Sequence, residues 1–349
     1  MSSRKAAVAG LSILVLGILS CSPGYVLRSA WYQAELLRAR VPLEEARRSG
    51  RLSADQIAAL DRVRDVKAFG RRLGLGATRN YDSVALGWNR RIWNVNACEP
   101  LAFRPKTWWF PIVGRVPYRG YFDRRHADRA AERLVREGWD VSVREAAAYS
   151  TLGWFRDPLL PSMLGWGEFD LAETILHELA HATLWVKGNV PFNEGFAEFV
   201  GEQGAFGYLE SRHGLDSPAY RTARQAQEDL ESWREVQWGL FRDLEHLYGD
   251  PSLDAAAKRD RKAALLASMP GRVAGASFHD RARFERAASE RAWNNAHLAD
   301  FRTYEGHRPA FEALLAACGG DLGAFVERVR ALAGRADPFA ELARAAEPK

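Results

Sequence analysis

One uninterrupted helical segment constrains this chain more than any other part of its sequence. Residues 169–186 contain no Gly or Pro and are rich in Leu and Ala, so they predict a helix. Asp170 can cap the start of this helix, and Gly188, just beyond it, can end it. Side chains four positions apart would then share one face.

Two histidines and a glutamate occupy the middle of the predicted helix. His177 and His181 are four positions apart, so both can offer a ring nitrogen to one zinc ion. Glu178, one step round the helix, can reach a water molecule on that ion but not the ion itself. The H-E-x-x-H pattern is typical of zinc hydrolases in which the glutamate is the general base. The alternative is a chance match, with two structural histidines on a buried helix.

A candidate third ligand follows after a short connector. Asn193 can cap a second helix, and Glu194 would lie in its first turn. A catalytic zinc takes three protein ligands and one open position, and His₂Glu is a known set, so Glu194 would complete the site. Glu198 shares that helix face one turn later, so spacing alone does not choose between the two glutamates. With Glu194 as the ligand, Glu198 could orient a ligand histidine by hydrogen bonding to its imidazole without contacting the metal itself.

These motifs resemble a known group of enzymes. The histidine pair followed by Asn-Glu-Gly-Phe-Ala at 193–197 resembles the gluzincins, which include thermolysin and the large zinc aminopeptidases. In that group the glutamate of the Asn-Glu pair is the third zinc ligand, which implies this role for Glu194. From about residue 80 onward the chain is similar to a narrower family, the putative aminopeptidases found as bacterial lipoproteins. The matching runs, besides the two helices, are 118–122, 148–155 and 294–304.

The resemblance implies zinc-dependent hydrolysis of a peptide substrate. The large aminopeptidases hold the substrate's free amine with a G-x-M-E-N segment, which this sequence lacks, so an aminopeptidase activity rests on the family resemblance alone. An envelope endopeptidase is one alternative. A non-catalytic lipoprotein that keeps the fold as a binding module is another, although the intact Glu178 argues against it.

The same resemblance implies a substrate edge and an oxyanion donor. In thermolysin-like enzymes a strand next to the zinc helix pairs with the extended substrate, and the candidate here is Tyr149, Ser150 and Thr151. An ordinary sheet strand is the alternative. Gluzincins supply a Tyr or His from the C-terminal lobe to the oxyanion, and Tyr304 is favoured over His307. A tyrosine that only packs at a helix end is the alternative for Tyr304.

The N-terminal part of the chain predicts helices. Within residues 21–75, Ser53 opens a capping box, and Gly70 and Gly74 are expected to end the helix that follows. This N-terminal helical segment could pack against the catalytic body or act as a spacer, and the sequence leaves both open.

The remainder predicts an α+β fold. Residues 80–122 read as short strands rich in aromatic side chains, expected to pack in a core. Asp123 can cap a helix, two strands are expected over 139–152, and helices dominate from Pro218 onward. The predicted architecture is thermolysin-like, with a β-containing front lobe and a helical C-terminal lobe in a metallopeptidase domain of residues 76–349.

The N-terminus predicts a lipoprotein signal peptide over residues 1–20. Two basic residues precede an apolar run from Ala6 to Leu19, and Cys21 after Ser20 resembles a bacterial lipobox. A lipidated Cys21 would anchor the protein in a membrane of the bacterial cell envelope, facing the periplasm. An uncleaved anchor helix is the alternative. Under either hypothesis the body of the chain is exported.

Charge and cysteines add two expectations. The formal net charge of +5 comes with scattered arginines, so no nucleic-acid partner is predicted. Export would permit a disulfide between Cys98 and Cys318, but two buried free thiols are the favoured prediction.

Overall fold

The computed structural model describes residues 23–110, 114–146, 156–299, 308–332, 335 and 337–346. These residues combine helices with three small antiparallel sheets, which confirms the α+β class. The thermolysin-like architecture stays a prediction.

Helices make up most of the described chain. They are α1 (Pro23–Arg38), α2 (Leu43–Arg48), α3 (Ala54–Arg72), α4 (Arg124–Arg136), α5 (Glu168–Thr183), α6 (Val190–His213), α7 (Pro218–Gly249), α8 (Ala255–Ala267), α9 (Met269–Ala274), α10 (Arg281–Ser289), α11 (Arg308–Ala317), α12 (Leu322–Arg330) and α13 (Pro338–Ala346). The strands are β1 (Arg40–Pro42), β2 (Ser83–Ala85), β3 (Trp93–Cys98), β4 (Trp108–Phe110), β5 (Gly114–Val116), β6 (Tyr118–Tyr121) and β7 (Asp140–Glu145).

The largest sheet has the strand order β6-β3-β7, with both pairs antiparallel. Helix α4 begins at its predicted cap Asp123, whose side chain accepts a hydrogen bond from the Arg125 backbone N–H, and packs against this sheet. The strands predicted within residues 80–122 are therefore confirmed. Of the two strands expected over 139–152, β7 is present and most of the second lies outside the described residues.

The aromatic residues of this region divide between the interior and the surface. Trp88 and Trp108 are buried, as their predicted packing role requires. Trp109 differs, because 45% of it is exposed. The expected core packing therefore holds for Trp88 and Trp108, and the half-buried Trp93 packs against the same cluster as Trp108, whereas Trp109 is not a core residue.

The N-terminal segment packs against the body of the protein. Helix α3 has the predicted capping box at Ser53 and continues through Gly70 to Arg72, so the expected end at Gly70 is wrong, whereas Gly74 does lie just beyond the C-cap Leu73, with φ 79°. A Cβ at Gly70 would lie 2.9 Å from Leu179 Cδ1 on α5. The glycine is therefore needed for close helix packing and not for chain termination.

Two hydrophobic clusters account for the helical part of the chain. The larger one joins α3, α5 and α6 to the C-terminal helices, for example through Phe199, Phe311 and Phe325. The other forms where α7 packs against α8, α9 and α10. Among the described residues, no single helix has both the length and the apolar character to cross a membrane, and α11 with α12 meets the criteria only as a pair bent by 116°.

Candidate metal centre

Helix α5 carries the H-E-x-x-H residues, and its ends differ from the prediction. Gly167 occupies the N-cap position, so the expected cap by Asp170 is wrong. The helix ends at Thr183, well before Gly188. The Thr183 hydroxyl donates to Leu179 O at 2.6 Å and accepts from the Gly76 backbone N–H at 2.7 Å. This tertiary contact holds the last turn against the N-terminal segment.

The connector between α5 and α6 is fixed by one buried amide. Asn189 caps α6 by accepting from the Phe192 N–H at 3.1 Å. Asn193, predicted to be the cap, instead lies inside the helix. Its Oδ1 accepts from the Val186 N–H at 2.7 Å, and its Nδ2 donates to Val186 O at 2.9 Å. This pair of hydrogen bonds closes the turn and places the next residue, Glu194, beside α5.

Two glycines allow α5 and α6 to approach closely. A Cβ at Gly201 would lie 2.8 Å from Glu173 O and 3.1 Å from His177 Cβ. A Cβ at Gly204 would lie 2.8 Å from Leu176 Cδ1. The contact at Gly201 is with a backbone atom that cannot rotate away, so the observed spacing requires glycine there, whereas at Gly204 the Leu176 side chain would have to move. The short distance between the helix axes is what lets a carboxylate on α6 reach the imidazoles on α5.

Three candidate ligand atoms converge between the helices. The Nε2 atoms of His177 and His181 are 3.1 Å apart, and Glu194 Oε2 lies 3.8 Å and 3.6 Å from them. All three lie within 4.8 Å of one another. Zn–N bonds of 2.0–2.1 Å in a tetrahedral arrangement separate two nitrogens by about 3.3 Å. The donor set and its spacing therefore fit a zinc ion.

The electrostatics of these three groups suit a cation. Burial lowers the pKa of His177 to about 3, with the positive charge of His181 adding to the effect, so its ring is neutral at neutral pH. Burial acts the same way on His181, but its hydrogen bond to Glu194 and the negative charges of Glu194 and Glu178 together outweigh burial and raise the pKa of His181. At Glu194 burial opposes ionisation, but the same hydrogen bond and the positive charges of His181 and His177 together outweigh burial and lower the pKa of the carboxyl. The site thus offers a neutral imidazole and a carboxylate already compensated by positive charge.

A putative aminopeptidase family model matches residues 24–341. The chain belongs to this family. No curated protein and no solved structure matches the chain. The matched range includes α5, α6 and the whole sheet region, so the family assignment and the ligand cluster concern the same body.

In this family member, the glutamate between the histidines is buried and interacts electrostatically with a buried tyrosine. Glu178 is buried, with 9% of its surface exposed. Tyr81 is also buried and has φ 63°, the one positive value for a non-glycine residue in the described parts of the chain. Burial raises the pKa of Tyr81, and the negative charges of Glu178 and Asp157 raise it further, so its ring lies within their electrostatic reach. Nothing in the local sequence pattern singled out Tyr81.

Further glutamates extend along the face of α6 that carries Glu194. Glu198 pairs with Arg234 at 3.2 Å, and its expected role in orienting an imidazole stays a prediction. Glu202, one turn later and buried, receives hydrogen bonds from Arg308 at 2.8 and 2.5 Å and from Gln227 at 2.7 Å. These contacts tie α7 and α11 to the helix that holds Glu194. The four-residue spacing 194/198/202 could have predicted Glu202.

Several predicted residues lie outside the described parts of the chain. They are Cys21 and residues 1–20, the substrate-edge residues Tyr149, Ser150 and Thr151, and the oxyanion candidates Tyr304 and His307. Both remaining cysteines are free thiols, as predicted, although only Cys98 is fully buried and Cys318 is half-buried.

Proposed function

We propose that this chain is a zinc-dependent aminopeptidase with His177, His181 and Glu194 as metal ligands and Glu178 as general base. The observation that carries the proposal is the convergence of three ligand atoms within 4.8 Å on two closely packed helices. The family match supports a peptide as the substrate. A chance pair of histidines would not need a carboxylate directed at both of them from another helix.

The chemistry follows from the donor set. Zinc in such a site polarises the scissile carbonyl and makes a bound water acidic at neutral pH. The Glu178 carboxylate follows His177 directly in the chain and takes the proton of the attacking water. It then delivers this proton to the leaving amine nitrogen. Because Glu178 is not one of the three ligands, its loss should remove the base and leave metal binding in place.

Two further parts of the proposal rest on the resemblance to gluzincins. Tyr304, or His307 as the alternative, would donate a hydrogen bond to the developing oxyanion. Tyr149, Ser150 and Thr151 would pair with the substrate backbone. We also propose that Cys21 is lipidated and holds the enzyme at the membrane of the cell envelope. Metabolic fatty-acid labelling of the wild type and of Cys21→Ser tests the last point, and equal labelling of both forms would refute it.

The decisive experiment is a peptide digest by the full-length chain purified in neutral detergent. Peptides with free and with acetylated N-termini are compared, with and without a chelator, alongside Glu178→Gln. We expect chelator-sensitive removal of N-terminal residues from free peptides, none from acetylated ones, and a loss of several orders of magnitude in rate for the variant.

The other outcomes separate the alternatives. Cleavage inside acetylated peptides identifies an endopeptidase. Zinc binding without turnover by the wild type favours a binding module. Turnover that is indifferent to both the chelator and the Glu178 substitution refutes the zinc mechanism.

A further inference from the structure

A cationic cavity lies between α1, β6 and α4, and none of the candidate metal ligands lines it. Its volume is about 230 Å³. Each element contributes one face: Tyr25 and Arg28 from α1, Arg119 and Tyr121 from alternate positions of β6, and Arg129 with neighbouring residues from α4. Because three separate segments supply basic residues to one concave surface, the charge cannot be ascribed to a single solvated helix face.

The cavity collects positive charge with little compensation. Four arginines line it and no Asp or Glu does, the fourth being Arg133. A second cavity of about 220 Å³ shares Arg119 and Arg133 and adds Lys106 and Glu137. Glu137 lies 3.8 Å from Arg133 and 3.9 Å from Lys106, so one carboxylate serves both cations.

The other three arginines have no acidic partner within ion-pair distance among the residues that the structure describes. They are Arg28, Arg119 and Arg129. The Arg119 guanidinium lies over the rings of Tyr25 at 5.1 Å and Trp108 at 5.5 Å, which fixes its orientation. Its Nε is buried and has no hydrogen-bond partner in the described structure.

A nearby histidine shows the same shortage of acceptors. His126 Nδ1 is buried, and in the described part of the chain no atom hydrogen-bonds to it. Burial lowers the pKa of His126, and the positive charges of Arg28 and Arg129 lower it further, against an opposing contribution from Asp123. Burial and the neighbouring arginines thus both disfavour the charged ring, and the arginines also repel one another.

Clustered arginines around a concave, partly buried space favour an anion. Arg28, Arg129 and Arg133 are solvent-exposed and Arg119 is half-buried, so a bound anion would offset their mutual repulsion and could satisfy the buried Arg119 Nε. The planar guanidinium matches phosphate oxygens with two parallel hydrogen bonds. At about 230 Å³ the cavity is below the ~300–1,000 Å³ typical of sites for drug-sized ligands, so it suits a small charged group.

We propose that this cavity binds a phosphate group. That group could belong to a phospholipid headgroup or to a soluble phosphate compound, and both present the same chemistry to the arginines. The cavity includes residues at the start of α1, which begins at Pro23, two positions after the predicted lipid-bearing Cys21. The proposal does not depend on the metal centre, and its test measures binding rather than turnover.

The test is ligand-dependent thermal stability of the full-length chain in neutral detergent at constant ionic strength. One arm adds inorganic phosphate in place of chloride. The other arm adds phosphatidylglycerol to the micelles, with phosphatidylcholine as the uncharged-headgroup control. A ligand that binds only the folded state raises the midpoint in a saturable manner.

The variants are matched for helix and charge. Arg129 and Arg136 are both exposed residues of α4, but only Arg129 lines the cavity, so Arg136→Gln makes the same change on the same helix at a position that lines neither cavity. Arg28→Gln removes a charge from the opposite wall. We expect Arg129→Gln and Arg28→Gln each to weaken the saturable response roughly tenfold, and Arg136→Gln to leave it unchanged.

The two arms distinguish the sources. A response to phosphatidylglycerol but not to phosphatidylcholine, lost in Arg129→Gln, assigns the site to a lipid headgroup. A response to inorganic phosphate without any effect of phosphatidylglycerol assigns it to a soluble ligand. If neither probe gives a saturable shift, or if Arg129→Gln and Arg136→Gln respond alike, the proposal is overturned.

Discussion

Replacing Gly201 by alanine tests whether the spacing of α5 and α6 controls the metal centre. The added Cβ would lie 2.8 Å from Glu173 O, a backbone atom that cannot rotate away, and 3.1 Å from His177 Cβ. Ordinary contact begins near 3.4 Å, so the helices must separate locally by 3.4 − 2.8 = 0.6 Å. Because the contact includes a candidate ligand, the displacement acts on the site directly.

The effect of Gly201→Ala on the free energy of unfolding has two opposing parts. Alanine in a helix is favoured over glycine by roughly 0.5–1 kcal/mol. Overpacking of a tight interface costs about 1–3 kcal/mol. Gly207→Ala is the matched control on the same helix, because its Cβ meets only the Phe69 ring, at 3.3 Å. The helix-propensity gain is common to both variants, so their difference of about 1–3 kcal/mol isolates the clash at Gly201.

Two measurements follow for each variant. Urea unfolding in the presence of a chelator reports the packing cost without metal. Competition with a chelator reports zinc retention. Metal–ligand distances are held to within about 0.2 Å, so a 0.6 Å displacement exceeds what the site tolerates. We expect Gly201→Ala to lose zinc ~10–100-fold more readily than the wild type, as when a group supporting a ligand is removed, and Gly207→Ala to retain it.

Equal unfolding free energies for the two alanine variants would refute the packing argument. A destabilised Gly201→Ala that keeps wild-type zinc affinity would show instead that ligand geometry is independent of the helix spacing.

Three further predictions concern the same two helices. Glu194→Ala should lose zinc at chelator concentrations that Glu198→Ala survives, since removal of a supporting residue costs only ~10–100-fold; the reverse order would exchange their roles. Asn193→Ala should lower the free energy of unfolding by about 1–3 kcal/mol, because both hydrogen bonds to Val186 are lost, and a urea titration that finds no change would contradict this. Burial, together with Glu202 and Glu198, raises the pKa of Glu173 from 4.5 to about 7, so the folded chain holds a proton that the unfolded chain has released. Stability in the presence of a chelator should therefore fall as the pH rises from about 4.5 to 7, and Glu173→Gln should flatten this part of the profile; identical profiles would exclude Glu173 as the source.

Local patterns in the sequence were sufficient for much of the fold. The capping box at Ser53 and the cap at Asp123 act within one helical turn, so the residues that form them are adjacent in the chain. The common face of His177 and His181 follows from helix geometry alone. The placement of Glu194 against them was predicted from its motif, and the structure brings the three side chains together.

Features set by distant contacts could not be read in this way. Gly70 looked like a helix end and is an interior residue, because Leu179 from another helix occupies the space of its missing side chain. Asn193 looked like a helix cap, but Asn189 already caps the start of α6. The Asn193 side chain instead hydrogen-bonds to Val186 in the connector between α5 and α6. In both cases the local signal was ambiguous, and the tertiary partner decided between its meanings.

The sequence by itself determined which side chains can share a helix face, because that depends only on intervals of three and four residues. Only the tertiary structure decided how closely α5 and α6 approach, since that distance depends on Gly201 meeting Glu173. The cationic cavity was also decided there. Arg28 lies far from Arg119 and Arg129 in the chain, and these two belong to different elements, β6 and α4. They share one space because burial of the apolar faces of α1, β6 and α4 fixes the polar residues at the edges of those faces.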